Sequence, residues 1–143
     1  MAAFNKYQSF VTELGKGTHK LHAAGDTLKI ALTNTAPNAA THTVRADITE
    51  LGSGNGYTQN AAGLDIQNDY TGSGGTGTMT GVDVVITAAG GTVGPFRYVV
   101  LFNDTPTSPA DPLVGWWDYG SALTLNDTET FTTDFGASVA TIT

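Results

Sequence analysis

Cysteine is absent from the 143 residues. Disulfides, thiolate metal sites and cysteine nucleophiles are therefore excluded, and the absence fits a reducing compartment. No apolar run approaches the roughly 20 residues needed to span a bilayer as a helix. The start, "MAAFNKYQSFVTELGKG", lacks a basic stretch followed by an apolar block, so no secretory signal is expected. Charge is also scarce: Asp, Glu, Lys and Arg make up 13% of the chain, against roughly a quarter in ordinary soluble proteins. Enzymes gather ionisable groups in a pocket, and this composition offers few. Basic residues are the rarest class, six against thirteen acids for a net charge of −7. Phosphate neutralisation needs a basic surface, so nucleic acid is not an expected partner. The imbalance is uneven. Residues 1–29 hold four lysines against two acids, and the remainder holds two arginines against eleven acids. Such asymmetry can orient the protein on a partner or on a neighbouring copy.

Threonine (24) and glycine (18) are plentiful. Threonine favours strands and glycine ends them at turns, which is the composition of an all-β protein with long polar loops. Only the N-terminus reads as helix: Phe4, Tyr7, Phe10, Val11 and Leu14 recur at near-helical spacing, and Gly15 and Gly17 supply stops. From Thr27 the period becomes two. "TLKIALTN" places Leu28, Ile30 and Leu32 on one face, with Lys29 and Ala31 opposite. "HTVRADITEL" stays open between an extended piece and a short helical turn. "LDIQNDY" reads as a strand and "TGSGGTGT" as a flexible connector. "MTGVDVVITAAGG", "FRYVVLF", "PLVGWWDY", "ALTL", "ETFTTDF" and "SVATIT" are further short strands, with a hairpin turning at Asn126-Asp127. The expected fold is an all-β β-sandwich or jelly roll with a short N-terminal helix or arm. Residues 1–26 form the helical segment or arm and residues 27–143 a single β-sandwich domain.

Several motifs suggest chemistry and lose it on inspection. "GSGNG" at 52–56 and "GSGGTG" at 72–77 lack the following helix and the Gly-Lys-Ser/Thr of a phosphate loop. His19, His22 and Asp26 have a spacing that zinc can use, yet no second pair closes the site. No Gly-x-Ser-x-Gly is present, and all three histidines, with His42, lie in the first third. Asp104, Asp111 and Asp118 cluster in sequence, as paired glycosidase carboxylates would. Asp104 and Asp111 sit where turns favour aspartate, in a loop from Asn103 to Pro112 stiffened by Pro106, Pro109 and Pro112, and Asp118 follows on the next strand. No catalytic, cofactor or metal residue is expected.

Aromatics are the stronger signal. Phe96, Tyr98, Val100 and Phe102 share one face of a strand, with Arg97, Val99 and Leu101 on the other. Leu113, Gly115, Trp117 and Tyr119 likewise oppose Val114, Trp116 and Asp118. Both faces of both strands are largely apolar, whereas a half-solvated strand alternates apolar with polar. The pair is therefore central and buried on both sides, or one face meets another chain. The expected interface residues are Trp116, Trp117, Tyr119, Arg97, Phe102, Phe4, Tyr7 and Phe10.

Taken together, "ALTNTAP", "ADITEL…GYT", "GPFRYVVLFNDTP" and "PLVGWWDYGS" resemble small virion proteins of tailed bacteriophages. The resemblance is one of whole-chain pattern, from about Phe4 to the end. It implies a capsid decoration (cement) protein: a compact β-sandwich or jelly roll that sits on the outer capsid surface, made in the host cytoplasm. It would bind the major capsid protein as a dimer or trimer, with no cofactor, membrane or nucleic acid. A tail, neck or fibre component is the alternative. A carbohydrate-binding β-sandwich or small hydrolase is the reading from another class.

Overall fold

The computed structural model describes residues 2–143. The regular structure is mostly β, with one short N-terminal helix and three small antiparallel sheets. Among the described residues there is no closed barrel and no clear jelly roll.

The central sheet has the order β1 (Asn5–Lys6), β7 (Leu113–Leu125), β6 (Val93–Asn103), β2 (Leu28–Thr33). β3 (Asp69–Ser73), β4 (Thr76–Thr80) and β9 (Ala140–Ile142) form a second sheet, and β5 (Val84–Thr87) pairs with β8 (Thr130–Thr133) in a third. All six residues of β2 are buried, because the central sheet is covered on both faces. Leu28, Ile30 and Leu32 enter the larger core with Val99, Leu101, Val114 and Trp117. Ala31 enters a smaller core on the opposite face with Tyr7, Ile48, Val100, Phe102 and Leu113. Over residues 99–102 and 113–115 the doubly apolar hairpin is thus covered on both faces by its own chain.

Lys29 lies on the buried edge of β2. Its ammonium donates to Asp104 Oδ2 (2.8 Å) and to the backbone and side-chain oxygens of Asn60 (both 3.0 Å). All three N–H donors are used, which is how a lysine this buried stays satisfied.

The structure corrects four expectations. The "TGSGGTGT" stretch is ordered: β3 and β4 form a hairpin, with Gly74 (φ 58°) and Gly75 (φ 81°) as the two turn residues. Left-handed φ at both positions is the two-residue hairpin requirement that a Gly-Gly pair meets. The turn at Asn126 exists, closed by the Glu129 N–H on the Asn126 carbonyl (3.0 Å). It joins no hairpin, however, since β8 pairs with β5 and not with β7. Register shifts at Phe96/Tyr98 and Leu101/Phe102 flip the alternation. Phe96 therefore joins the larger core rather than the face of Val100 and Phe102. Leu113 shares the face of Trp116, and Val114 that of Trp117. A single extra residue moves everything beyond it to the other face.

The fourth correction concerns the N-terminus. The helix α1 spans Gln8–Gly15, and Phe4 and Tyr7 precede it. A separation of three puts two side chains on the same side of a helix but on opposite sides of an extended strand. Here they straddle β7: Phe4 packs on Trp117 (centroids 5.3 Å apart) and Tyr7 on Trp116 (4.7 Å). β1 between them pairs Asn5 with Trp116 and Lys6 with Gly115. The Tyr7 hydroxyl is buried without a partner, and burial pushes its pKa well above the ordinary phenol range.

Gly115 is the notch that admits this segment. A Cβ there would stand 2.3 Å from the Phe4 ring and 2.6 Å from the Asn5 carbonyl oxygen. Gly115→Ala is expected to lift β1 off β7 and cost about 1–3 kcal/mol by overpacking. Urea unfolding reads the loss. Amide exchange at Tyr7, whose N–H donates to the Val114 carbonyl (3.2 Å), faster in the variant, locates it.

Candidate functional site

A groove of about 430 Å³ lies at the mouth of the larger core, between β7 and the β8 segment. Trp117 and Phe135 form its floor, with ring centroids 5.4 Å apart, and both are buried. Tyr119 and Phe131 form its wall, 6.0 Å apart and inclined at 72°. Thr132 and Asp134 stand on its rim and are exposed. Alternation explains the β8 side: Phe131, Thr133 and Phe135 turn inward, Thr132 and Asp134 outward. On the β7 side, Trp117 lies opposite Val99 in the ladder and is covered. Tyr119 falls just past the last regular pair, in the 119–122 stretch where β7 bulges from β6, and remains 55% exposed.

The expected interface residues divide. Tyr119 and Trp117 meet in the groove. Trp116 is half-buried on the opposite face of the sheet against Tyr7, as adjacent strand residues must be. Arg97 makes a two-pronged ion pair with Asp118 (2.8 and 3.0 Å). That pair holds the half-buried Asp118 carboxyl below its ordinary range. Phe102 is fully buried under the Arg45 guanidinium (5.0 Å from the ring centroid), and Tyr7 and Phe10 are buried too. Phe4 is half-buried on Trp117. Phe131, Thr132, Phe135 and Asp134 escaped the sequence reading as site residues. The signal available was the spacing Phe131–Phe135 about a buried Thr133, but nothing in it says which strand they face.

The other motifs disperse. Asp104, Asp111 and Asp118 each meet a different cation: Lys29, Arg45 and Arg97. They do not converge as a carboxylate pair. Gly54 and Tyr57 exchange backbone hydrogen bonds (2.7 and 3.1 Å), making the 52–56 glycines a tight turn. His19 is buried while His22 is exposed, so the two imidazoles share no metal site. Among the described residues no group of three or more His, Asp or Glu side chains is placed to hold a metal.

His19 belongs instead to a buried latch. Asn103 Nδ2 donates to Asp26 Oδ2 (2.7 Å) and to His19 Nδ1 (3.1 Å). Asp26 Oδ2 also accepts the Lys20 N–H (2.8 Å), and the His19 ring packs on Phe10 (5.1 Å). The latch joins α1 and its following loop to the end of β6. Because Asn103 donates to Nδ1, the imidazole proton sits on Nε2, which has no partner. Burial pushes the His19 pKa down to about 4, against an upward pull from Asp26 and Glu13.

In comparisons of the chain with protein-family models, with curated proteins and with solved structures, nothing matched. No helix among the described residues is long and apolar enough to cross a membrane.

Proposed function

We propose that this chain is a non-enzymatic structural protein of a phage virion that binds the outer capsid surface and stabilises the shell. The groove would be its contact surface. The observation that carries this reading is the groove itself: an aromatic wall left open beside an otherwise closed core, with Tyr119 more than half exposed. Interface hot spots are aromatic anchors of this kind. The pattern resemblance to small virion proteins supplies the location. A capsid offers many copies of one surface, so a modest contact is multiplied by repetition. A β-sandwich arrangement of the sheets belongs to the same proposal.

The test is to mix purified protein with undecorated capsids and image them, alongside Tyr119→Ala. Density on the shell is expected for the unmodified protein. Occupancy is expected to need about tenfold more of the variant, the loss typical of one hot-spot aromatic. Bare shells in both cases would overturn the proposal. Specific glycan binding that disappears with Tyr119→Ala would favour the carbohydrate-binding reading, which draws on the same exposed ring.

A further inference from the structure

We propose that the groove receives a positively charged side chain, an arginine or lysine, carried by an extended segment of a partner protein. This deepens the contact-surface reading by naming what the groove takes. The argument begins with ring geometry. Tyr119 and Phe131 meet at 72° with centroids 6.0 Å apart. A group seated in that corner lies against ring faces, which carry the negative end of the aromatic quadrupole. Trp117 and Phe135 close the floor beneath it. Cations are drawn to such faces, most strongly where water is excluded.

Charge points the same way. Asp134 is the only charged side chain among the described residues that line the groove. Its Oδ1 accepts the Gly136 N–H (2.9 Å), and its other oxygen has no hydrogen bond among the described residues. The rim of the groove therefore offers one carboxylate oxygen that makes no hydrogen bond among the described residues. Arg97, the basic residue of β6, is already held by Asp118. The chain's net charge of −7 adds a field that favours a cationic partner at longer range. An apolar side chain would leave Asp134 unused, and a neutral sugar would find few rim groups to pair its hydroxyls. The volume of about 430 Å³ suits one long side chain with its flanking backbone.

The experiment titrates the intact protein with the peptide Gly-Gly-Arg-Gly-Gly. Gly-Gly-Gln-Gly-Gly and Gly-Gly-Leu-Gly-Gly serve as neutral controls, followed by tryptophan fluorescence and NMR. The arginine peptide is expected to bind at roughly millimolar strength, as one partly desolvated cation–aromatic contact allows. Its shifts should map to Trp117, Tyr119, Phe131 and Phe135. The controls should bind at least about tenfold more weakly. Affinity should fall with added salt, a readout that needs no variant. Asp134→Asn keeps an acceptor for Gly136 and removes the charge, and it should weaken the arginine peptide alone. Tyr119→Ala, at an exposed position, should abolish the shifts. Equal binding of the glutamine or leucine peptide would overturn the proposal, as would indifference to Asp134→Asn and salt. So would groove signals that move with the protein's own concentration, which would make a second copy the occupant. No capsid is present in this experiment, so its outcome is separate from that of the imaging test.

Discussion

Asn103→Asp is expected to be the most damaging single-atom change in this protein, costing about 4 kcal/mol at neutral pH, as breaking a buried charge network does. The substitution keeps the shape and replaces an NH₂ with an oxygen. Asn103 has no exposed surface, and its Nδ2 is the donor that holds both Asp26 (2.7 Å) and His19 (3.1 Å). The variant would set a second carboxylate within hydrogen-bond distance of the first, out of reach of water. It would also leave His19 Nδ1 without its donor. Asn103 Oδ1 accepts the Thr105 N–H (3.2 Å), and an aspartate oxygen can still do so, so the loss falls on the latch and not on the turn. Equilibrium unfolding in urea measures it. A cost below about 1 kcal/mol, the scale of a single ordinary hydrogen bond, would show that the latch is not strongly coupled to folding.

Acid is expected to weaken the protein through His19. Its pKa is near 4 in the fold and about 6.5 in an unfolded chain. Between those values the unfolded chain holds more protons than the native one, so stability falls as pH falls. The loss begins below about pH 6.5, where the unfolded imidazole charges. It is complete once pH passes below the folded value near 4, and it amounts to on the order of 3 kcal/mol. Protonation also breaks geometry: a proton on Nδ1 would face the Asn103 amide donor. The charged groups acting on the ring are Asp26 from its own loop and Glu13 from α1. Both attract the imidazolium, and burial outweighs them. Urea unfolding from pH 7.5 to 4 should show the slope in the unmodified protein. In His19→Asn, which retains an acceptor for Asn103 without titrating, the slope should be shallower by nearly one proton. An unchanged slope would place the acid sensitivity elsewhere.

Much of the fold was legible along the chain because alternation reports burial directly. β2, β6 and the first half of β7 were expected near where they lie, whereas "ALTL", expected as a strand of its own, continues β7; the opposite orientation of Trp116 and Trp117 follows from strand geometry alone. Asp104 and Asp111 do lie in the loop, where turns favour aspartate, whereas Asp118 lies within β7, and none of the three was foreseen as a partner of Lys29, Arg45 or Arg97. The register shifts left no mark that could be read. A bulge is set by which strand lies alongside, so the flip that sends Phe96 and Val114 into the larger core depends on both β6 and β7. The N-terminal aromatics failed for a related reason. Phe4, Tyr7 and Phe10 fit a helix by spacing, yet Gly115 opens a notch more than 100 residues away that makes an extended path better for the first two.

The candidate site was half legible. Trp117 and Tyr119 stood out as aromatics in excess of what a half-solvated strand needs. Phe131, Phe135 and Asp134 did not, because their role comes from facing β7 across a gap that no local pattern encodes. Residue types and their spacing were enough for the mostly β character, the exclusion of thiol chemistry, the acidic balance and the apolar weight of the central hairpin. These depend on residue type and on a period of two. Which face each aromatic covers, how His19 and Asn103 meet, and where the core stays open emerge only in the folded chain. Those depend on contacts between segments far apart in the chain, where the cost of closing long loops is recovered only when every partner is in place.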